Sequence, residues 1–107
     1  MCLFQQLYSD ENGYIVRCNE CGCYQVMFSN VMLSMKGDEF EIFLRQVAVR
    51  KKINNALGPL LKTILLPTPC PGVHMVLSLR EFDQLDRMLE LAETEIKALA
   101  LLDLFYS

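Results

Sequence analysis

The sequence predicts an α+β fold: an antiparallel sheet of about five strands with two helices packed on one face. Three observations predict it. Apolar residues alternate with period two over 24–28 and 31–35, the signature of half-buried strands. Apolar residues recur at helical spacing over 38–53 and 79–105. Short clusters of Gly, Pro, Asn, Asp and Ser punctuate the chain between these stretches. Short connections then make sequential strands neighbours in an antiparallel sheet.

Residues 1–13 read as an irregular lead-in that can open with a short strand, Leu3-Phe4-Gln5-Gln6-Leu7-Tyr8, before the turn cluster Ser9-Asp10-Glu11-Asn12-Gly13. A strand follows over 14–18, with Tyr14, Val16 and Cys18 on one face, then a tight turn over 19–22. The return strand, 24–28, points Tyr24, Val26 and Phe28 inward. Ser29-Asn30 is either a second two-residue turn or a bulge in one long strand. Val31, Leu33 and Met35 continue the alternation.

The first helix covers about 38–53, with Phe40, Phe43, Leu44, Val47 and Ala48 on one face. Asp38 and Glu39 suit its N-terminus, and Arg50-Lys51-Lys52 suit its last turn, where cations complement the helix dipole. Arg50-Lys51-Lys52 reads as a solvated helix end. Asn54-Asn55 and Gly58-Pro59 stop the helix. A strand at 62–66 is halted by Pro67-Thr68-Pro69, with Pro71 close behind, and 73–77 returns.

The second helix starts near Leu79 and reaches Phe105. Its start carries a capping box: Ser78 accepts from the Glu81 N–H, and Glu81 reaches back to the Ser78 N–H. Leu77 and Phe82 form the accompanying hydrophobic staple. One stripe on this helix is Phe82, Leu85, Leu89, Ala92, Ile96 and Leu99; a second is Met88, Leu91, Ala98, Leu102 and Phe105. Together they are wider than one sheet requires, and 98–106 is apolar nearly all round. A homodimer through this C-terminal helix is the expected association.

The two halves resemble each other. Residues 15–29 lie over 64–78 at an offset of 49, while Glu39-Phe40 lies over Glu81-Phe82 at an offset of 42. The chain is thus one domain, 1–107, read as two hairpin-plus-helix units at about 14–57 and 62–106.

The formal charge of −3 and a pI near 5.0 argue against a nucleic-acid partner. Arg45, Arg50, Lys51 and Lys52 are too few to reverse that. No apolar run approaches the ~20 residues of a membrane span, and the N-terminus lacks a basic region before an apolar core. A cytoplasmic location is expected, and there five cysteines serve as thiols or metal ligands rather than disulfides. An apolar fraction of 52% is slightly above the usual ~45–50% and fits an oligomer interface.

Cys18-Asn19-Glu20-Cys21-Gly22 is the stretch with chemical content. A Cys-x-x-Cys-Gly turn can aim two thiolates at one point, and glycine permits the turn to close. Zinc needs four ligands for a closed site; the motif supplies two, and Cys23, Cys70, His74 and Cys2 are candidates for the rest. Cys18, Cys21, Cys23 and Cys70 are the candidate metal set. Cys70 falls in the loop equivalent to the cysteine turn, where a small apolar filler between prolines is the plainer reading. His74 falls on the polar face of its strand and reads as an exposed histidine. A redox pair is less suited, because the motif lies in a hairpin turn rather than at a helix N-terminus. Plain packing of the thiols and an adventitious Cys18–Cys23 disulfide also stay open. Asp83, Asp86, Glu90, Glu93 and Glu95 read as solvated helix surface, and Met27, Met32, Met35 and Met75 as core. No nucleophile–base pair stands out.

Taken together, Cys-x-x-Cys, the Gln25/Phe28/Asn30 segment, Glu39-Phe40, the Leu66-to-Cys70 loop and the Leu77-to-Phe82 junction resemble a small family of Bacteroidetes-type bacterial proteins classed as a domain of unknown function. The resemblance covers most of 14–92 and implies a soluble bacterial protein, but brings no activity or site residues. The functional expectation is a small non-enzymatic interaction or assembly module, dimeric through its last helix. The alternative is a zinc-binding or thiol-redox protein acting through the Cys18-x-x-Cys21 turn.

Overall fold

The computed structural model describes residues 3–53 and 60–106. The order of elements is β1 (Phe4–Asp10), β2 (Gly13–Cys18), β3 (Tyr24–Phe28), β4 (Val31–Met35), α1 (Gly37–Lys52), β5 (Ile64–Pro67), β6 (His74–Leu77) and α2 (Leu79–Tyr106). The fold is α+β and antiparallel, as the sequence predicts. Among the described residues the strands number six rather than five, and they form two sheets: β1-β2-β3-β4 and a separate ribbon, β5-β6. The additional strand is β1, which the lead-in builds in full. The expected helix stops at 54–55 and 58–59, and Cys2, lie outside the described residues.

Each hairpin of the larger sheet has a local cause. Asp10 closes the β1–β2 turn by accepting from the Asn12 and Gly13 N–H groups at 2.7 and 3.2 Å. Ser29-Asn30 is a two-residue turn, since Phe28 pairs with Val31, and Ser29 takes the positive φ of 57° that this turn needs. Gly13 sits so close to β3 that a Cβ there would lie 1.8 Å from the Met27 carbonyl oxygen.

The core lies between the sheet and the two helices. Ile15 faces Val26, and Val26 faces Leu33, in one buried cross-strand row. Leu7, Phe28 and Met35 join it from the strands, Phe40, Phe43 and Val47 from α1, and Phe82, Leu85, Met88, Leu89 and Ala92 from α2. Ala48, expected on the inner face of α1, is exposed. Tyr14 and Val16 share a face as expected, but it is the outer one; the inner face of β2 is Gly13, Ile15 and Arg17. Met35 and Met75 are core, whereas Met27 is half-buried and Met32 exposed on the outer face. The α2 helix crosses β1 and β2, and α1 lies against β4 and β5. Lys51 joins the helices, pairing with Asp86 at 2.8 Å and Glu90 at 3.4 Å.

The capping box at α2 forms as predicted: Glu81 N–H donates to Ser78 Oγ at 3.2 Å, and Ser78 N–H donates to Glu81 at 2.9 Å. At α1 the Lys36 N–H donates to Glu39 at 2.8 Å, so the glutamate half of the box recurs without the serine half. The buried phenylalanines Phe40 and Phe82 follow these glutamates.

The pairing of the two hairpins departs from the internal similarity. Arg17↔Tyr24 and Pro67↔His74 close ladders around six residues each, 18–23 and 68–73. Aligned by these loops, buried Ile15 falls on exposed Leu65. Aligned by buried face, Ile15 falls on Ile64 and Val26 on Met75, yet Ile64 pairs with Leu77 instead of Met75. The hairpins match by loop or by face, not by both.

Candidate functional site: the cysteine turn and the free end of the long helix

The cysteine turn grows out of the β2–β3 ladder. Cys18 N–H donates to the Cys23 carbonyl at 2.8 Å, and Gly22 N–H donates to the Cys18 carbonyl at 2.9 Å. Gly22 makes this closure possible with φ at +76°, a conformation costly for a residue with a Cβ. Three cysteines therefore leave one six-residue loop. Cys18 is buried, Cys23 half-buried and Cys21 exposed. The Cys23 thiol hydrogen-bonds the Cys21 thiol, which raises its pKa; burial and the nearby Cys21 and Cys18 sulfurs raise it further, and Lys36 opposes them. None of Cys18, Cys21, Cys23 and Cys70 is in a disulfide.

Two neighbours hold the turn in place. Tyr24, the residue after Cys23, stacks on Phe40 of α1 with ring centroids 4.2 Å apart and planes at 3°. The start of α1 consequently abuts the turn: a Cβ on Gly37 would stand 3.9 Å from the Gly22 carbonyl oxygen. Sequence spacing puts the cysteines in a hairpin, and only the tertiary fold brings a helix N-terminus against them. On the other side, Asn19 N–H donates to the Leu3 carbonyl at 3.4 Å, and Phe4 pairs with Cys18.

Cys70 is engaged elsewhere. Its thiol donates to the Ser34 carbonyl at 3.7 Å, on the edge strand β4. Thr68 fixes the loop that carries it, donating its hydroxyl to the Val73 carbonyl at 2.7 Å and accepting from the Cys70 N–H at 3.3 Å. His74 is exposed on β6, as expected. Among the described residues, no three or more His, Cys, Asp or Glu side chains form a group that could hold a metal ion.

The second feature is the end of α2. A helix of 28 residues is about 42 Å long at ~1.5 Å per residue, against a longest molecular dimension of 49 Å. Ile96 and Leu99 are half-buried, and beyond them the helix leaves the core. Leu101, Leu102, Leu104, Phe105 and Tyr106 are 51–85% exposed. Below this overhang a cleft of about 630 Å³ opens between Gln5, Arg17 and Asn19 of the sheet end and Ile96, Leu99 and Asp103 of the helix. Arg17 donates to Gln5 there at 3.4 Å.

A smaller groove, about 440 Å³, runs between the outer face of α1 and β5, along Ile42, Val49, Ile53 and Leu65. Arg45 and Arg50 flank it, and Gln46 Oε1 and Arg50 Nε are buried without a hydrogen-bond partner. The sequence signal for this groove was the apolar set Ile42, Val49 and Ile53, which lies off the main stripe of α1.

Residues 1–107 match one family, described as a family of unknown function (DUF6686). The chain belongs to DUF6686. The match spans the cysteine turn, both strand–helix junctions and the overhanging helix alike. No curated protein and no solved structure matches this DUF6686 chain. Among its described residues, no helix is long and apolar enough to cross a membrane.

Proposed function

We propose that this chain is a small non-enzymatic assembly module that pairs with a second copy of itself through the free end of α2. The observation that carries the reading is the exposure of Leu101, Leu102, Leu104, Phe105 and Tyr106 on consecutive turns of one helix. A contiguous apolar surface of this kind marks an interaction site more often than a solvated face. Leu3 and Phe4, just before Gln5 on β1, are 67% and 47% exposed and add apolar surface near the same cleft.

Charge favours a second copy as the occupant. Residues 98–106 carry one charged side chain, Asp103, and the last turn of α2 has no basic residue. An antiparallel pairing centred near Ala100 sets Lys97 of each copy opposite Asp103 of the other. It also sets the cationic side chain toward the negative end of the partner's helix dipole. Ala98 then faces Leu102, a small residue against a large one. A cytoplasmic location belongs to the same reading, supported by cysteines outside disulfides. Neither nucleic acid nor membrane is a partner in it.

Sedimentation equilibrium across a wide concentration range tests the reading. The expected result is a dimer, with Leu102→Glu/Phe105→Glu raising the dissociation constant on the order of 100-fold or more at unchanged helical content. A wild-type monomer at high concentration removes the reading.

A further inference from the structure

We infer that the groove between α1 and β5 binds a single-chain amphiphile with a carboxylate head, of the fatty-acid class. At about 440 Å³ the groove falls in the size range of small-molecule sites, roughly 300–1,000 Å³. Helical spacing builds its apolar part. Ile42, Val49 and Ile53 recur on one stripe of α1, off the buried face that Phe40, Phe43 and Val47 occupy. Leu65 of β5 completes the lining. These four side chains are 39–58% exposed, so a bound chain would take substantial apolar surface out of water. From Ile42 to Ile53 the stripe covers about 16 Å of helix axis, a shape that suits an extended alkyl chain better than a compact ring.

The polar part selects the charge. Arg45 and Arg50 line the groove, and among the described residues no carboxylate does. Neither arginine forms an ion pair among the described residues, whereas Lys51, the next residue along, is held by Asp86 and Glu90 on the other side of α1. Arg50 Nε is buried with no acceptor, and Gln46 Oε1 is buried with no donor. A half-turn of the Gln46 amide exchanges its oxygen for its NH₂, which makes Gln46 a donor as well. A carboxylate accepts from guanidinium and amide alike, and its bonds to arginine are charge-assisted. A cationic head would meet two like charges there.

The size of the groove favours a small molecule over a protein. Eight residues line it, fewer than the roughly 20 per side of a standard protein interface. It shares no lining residue with the cleft under the end of α2, so the two surfaces can be tested apart.

Isotope-labelled protein is titrated with decanoate below its micelle concentration, and separately with a neutral maltoside of the same chain length, while backbone amide shifts are followed. The expected result is saturable decanoate shifts at Val49, Ile53 and Leu65, with the maltoside weaker by roughly 10-fold or more. Arg45→Gln/Arg50→Gln weakens decanoate by a similar factor. Val49→Glu, at an exposed position, places a carboxylate in the groove and gives the same loss, and the dispersion of each variant's amide spectrum reports its fold. Leu102→Glu/Phe105→Glu binds decanoate as the wild type does. The inference is overturned by the absence of saturable shifts, by shifts at 101–106 instead, or by equal affinity for the maltoside. Wild-type affinity in either groove variant also overturns it. So does binding to anionic vesicles without binding to monomeric decanoate, which would make the groove a membrane-facing surface.

Discussion

Gly13 and Glu81 show how single residues set this structure. Gly13 has a backbone oxygen where any other residue would put its Cβ, 1.8 Å away, and that oxygen belongs to the ladder partner strand. A flexible side chain could yield, but a strand backbone cannot move alone. Gly13→Ala is expected to cost more than about 3 kcal/mol, at the upper end of single substitutions, measured by urea unfolding. Glu81 works electrostatically. Lys62 holds its carboxyl below the usual carboxylate range, at 2.8 Å, and the hydrogen bond from the Ser78 N–H helps; burial opposes both. A depressed carboxylate contributes stability that is complete above its unfolded pKa and lost as pH falls through the lower folded value. The melting temperatures of wild type and Glu81→Gln should therefore differ at neutral pH and converge in acid.

At the scale of elements, β1 is the least obvious strand and one of the most consequential. Gln6 pairs with Val16 and Tyr8 with Ile15, so Leu7 is an extra residue in a bulge. The bulge lets neighbours Leu7 and Tyr8 both meet the core, which strict alternation forbids. It also kinks an edge strand, a feature that discourages pairing with other chains. Leu7→Ala is expected to cost about 2–4 kcal/mol in urea unfolding, the size of a central core truncation, despite its edge position. The same bulge explains why the lead-in looks irregular in sequence. Polar Gln5 and Gln6 followed by Leu7-Tyr8 fit neither period. By contrast β3, β4 and both helices were legible, because one face of each is apolar without interruption. The inner face of β2 was not, since Ile15 stands between Gly13 and Arg17 while the outer residues Tyr14 and Val16 are the more apolar. Spacing alone gathered Cys18, Cys21 and Cys23 into one turn. The approach of α1 to that turn depends on Tyr24 stacking on Phe40, a contact between elements that no local pattern encodes.

Across the whole molecule, the cysteine turn and the overhanging helix are neighbours. The start of β1 leads to the cysteine turn, and Gln5 and Asn19 line the cleft under the overhanging helix. The rest of the molecule is joined differently. Among the described residues the β5–β6 ribbon has no ladder to β4, and the Cys70 thiol of its loop donates to the Ser34 carbonyl of β4. The two hairpins, equal in loop length, turn opposite faces to the core. This has a bearing on ancestry. A copied hairpin keeps both its loop and its buried face; to reach the present arrangement a copy would have had to slip by one residue on one strand and realign the other. Such a slip passes through an intermediate with its apolar face in water. Independent origin of the two hairpins, converging on the same Glu-Phe helix start, asks for no such intermediate. The turns at 18–23 and 68–73 share a length but carry different chemistry, three cysteines in one and two prolines in the other.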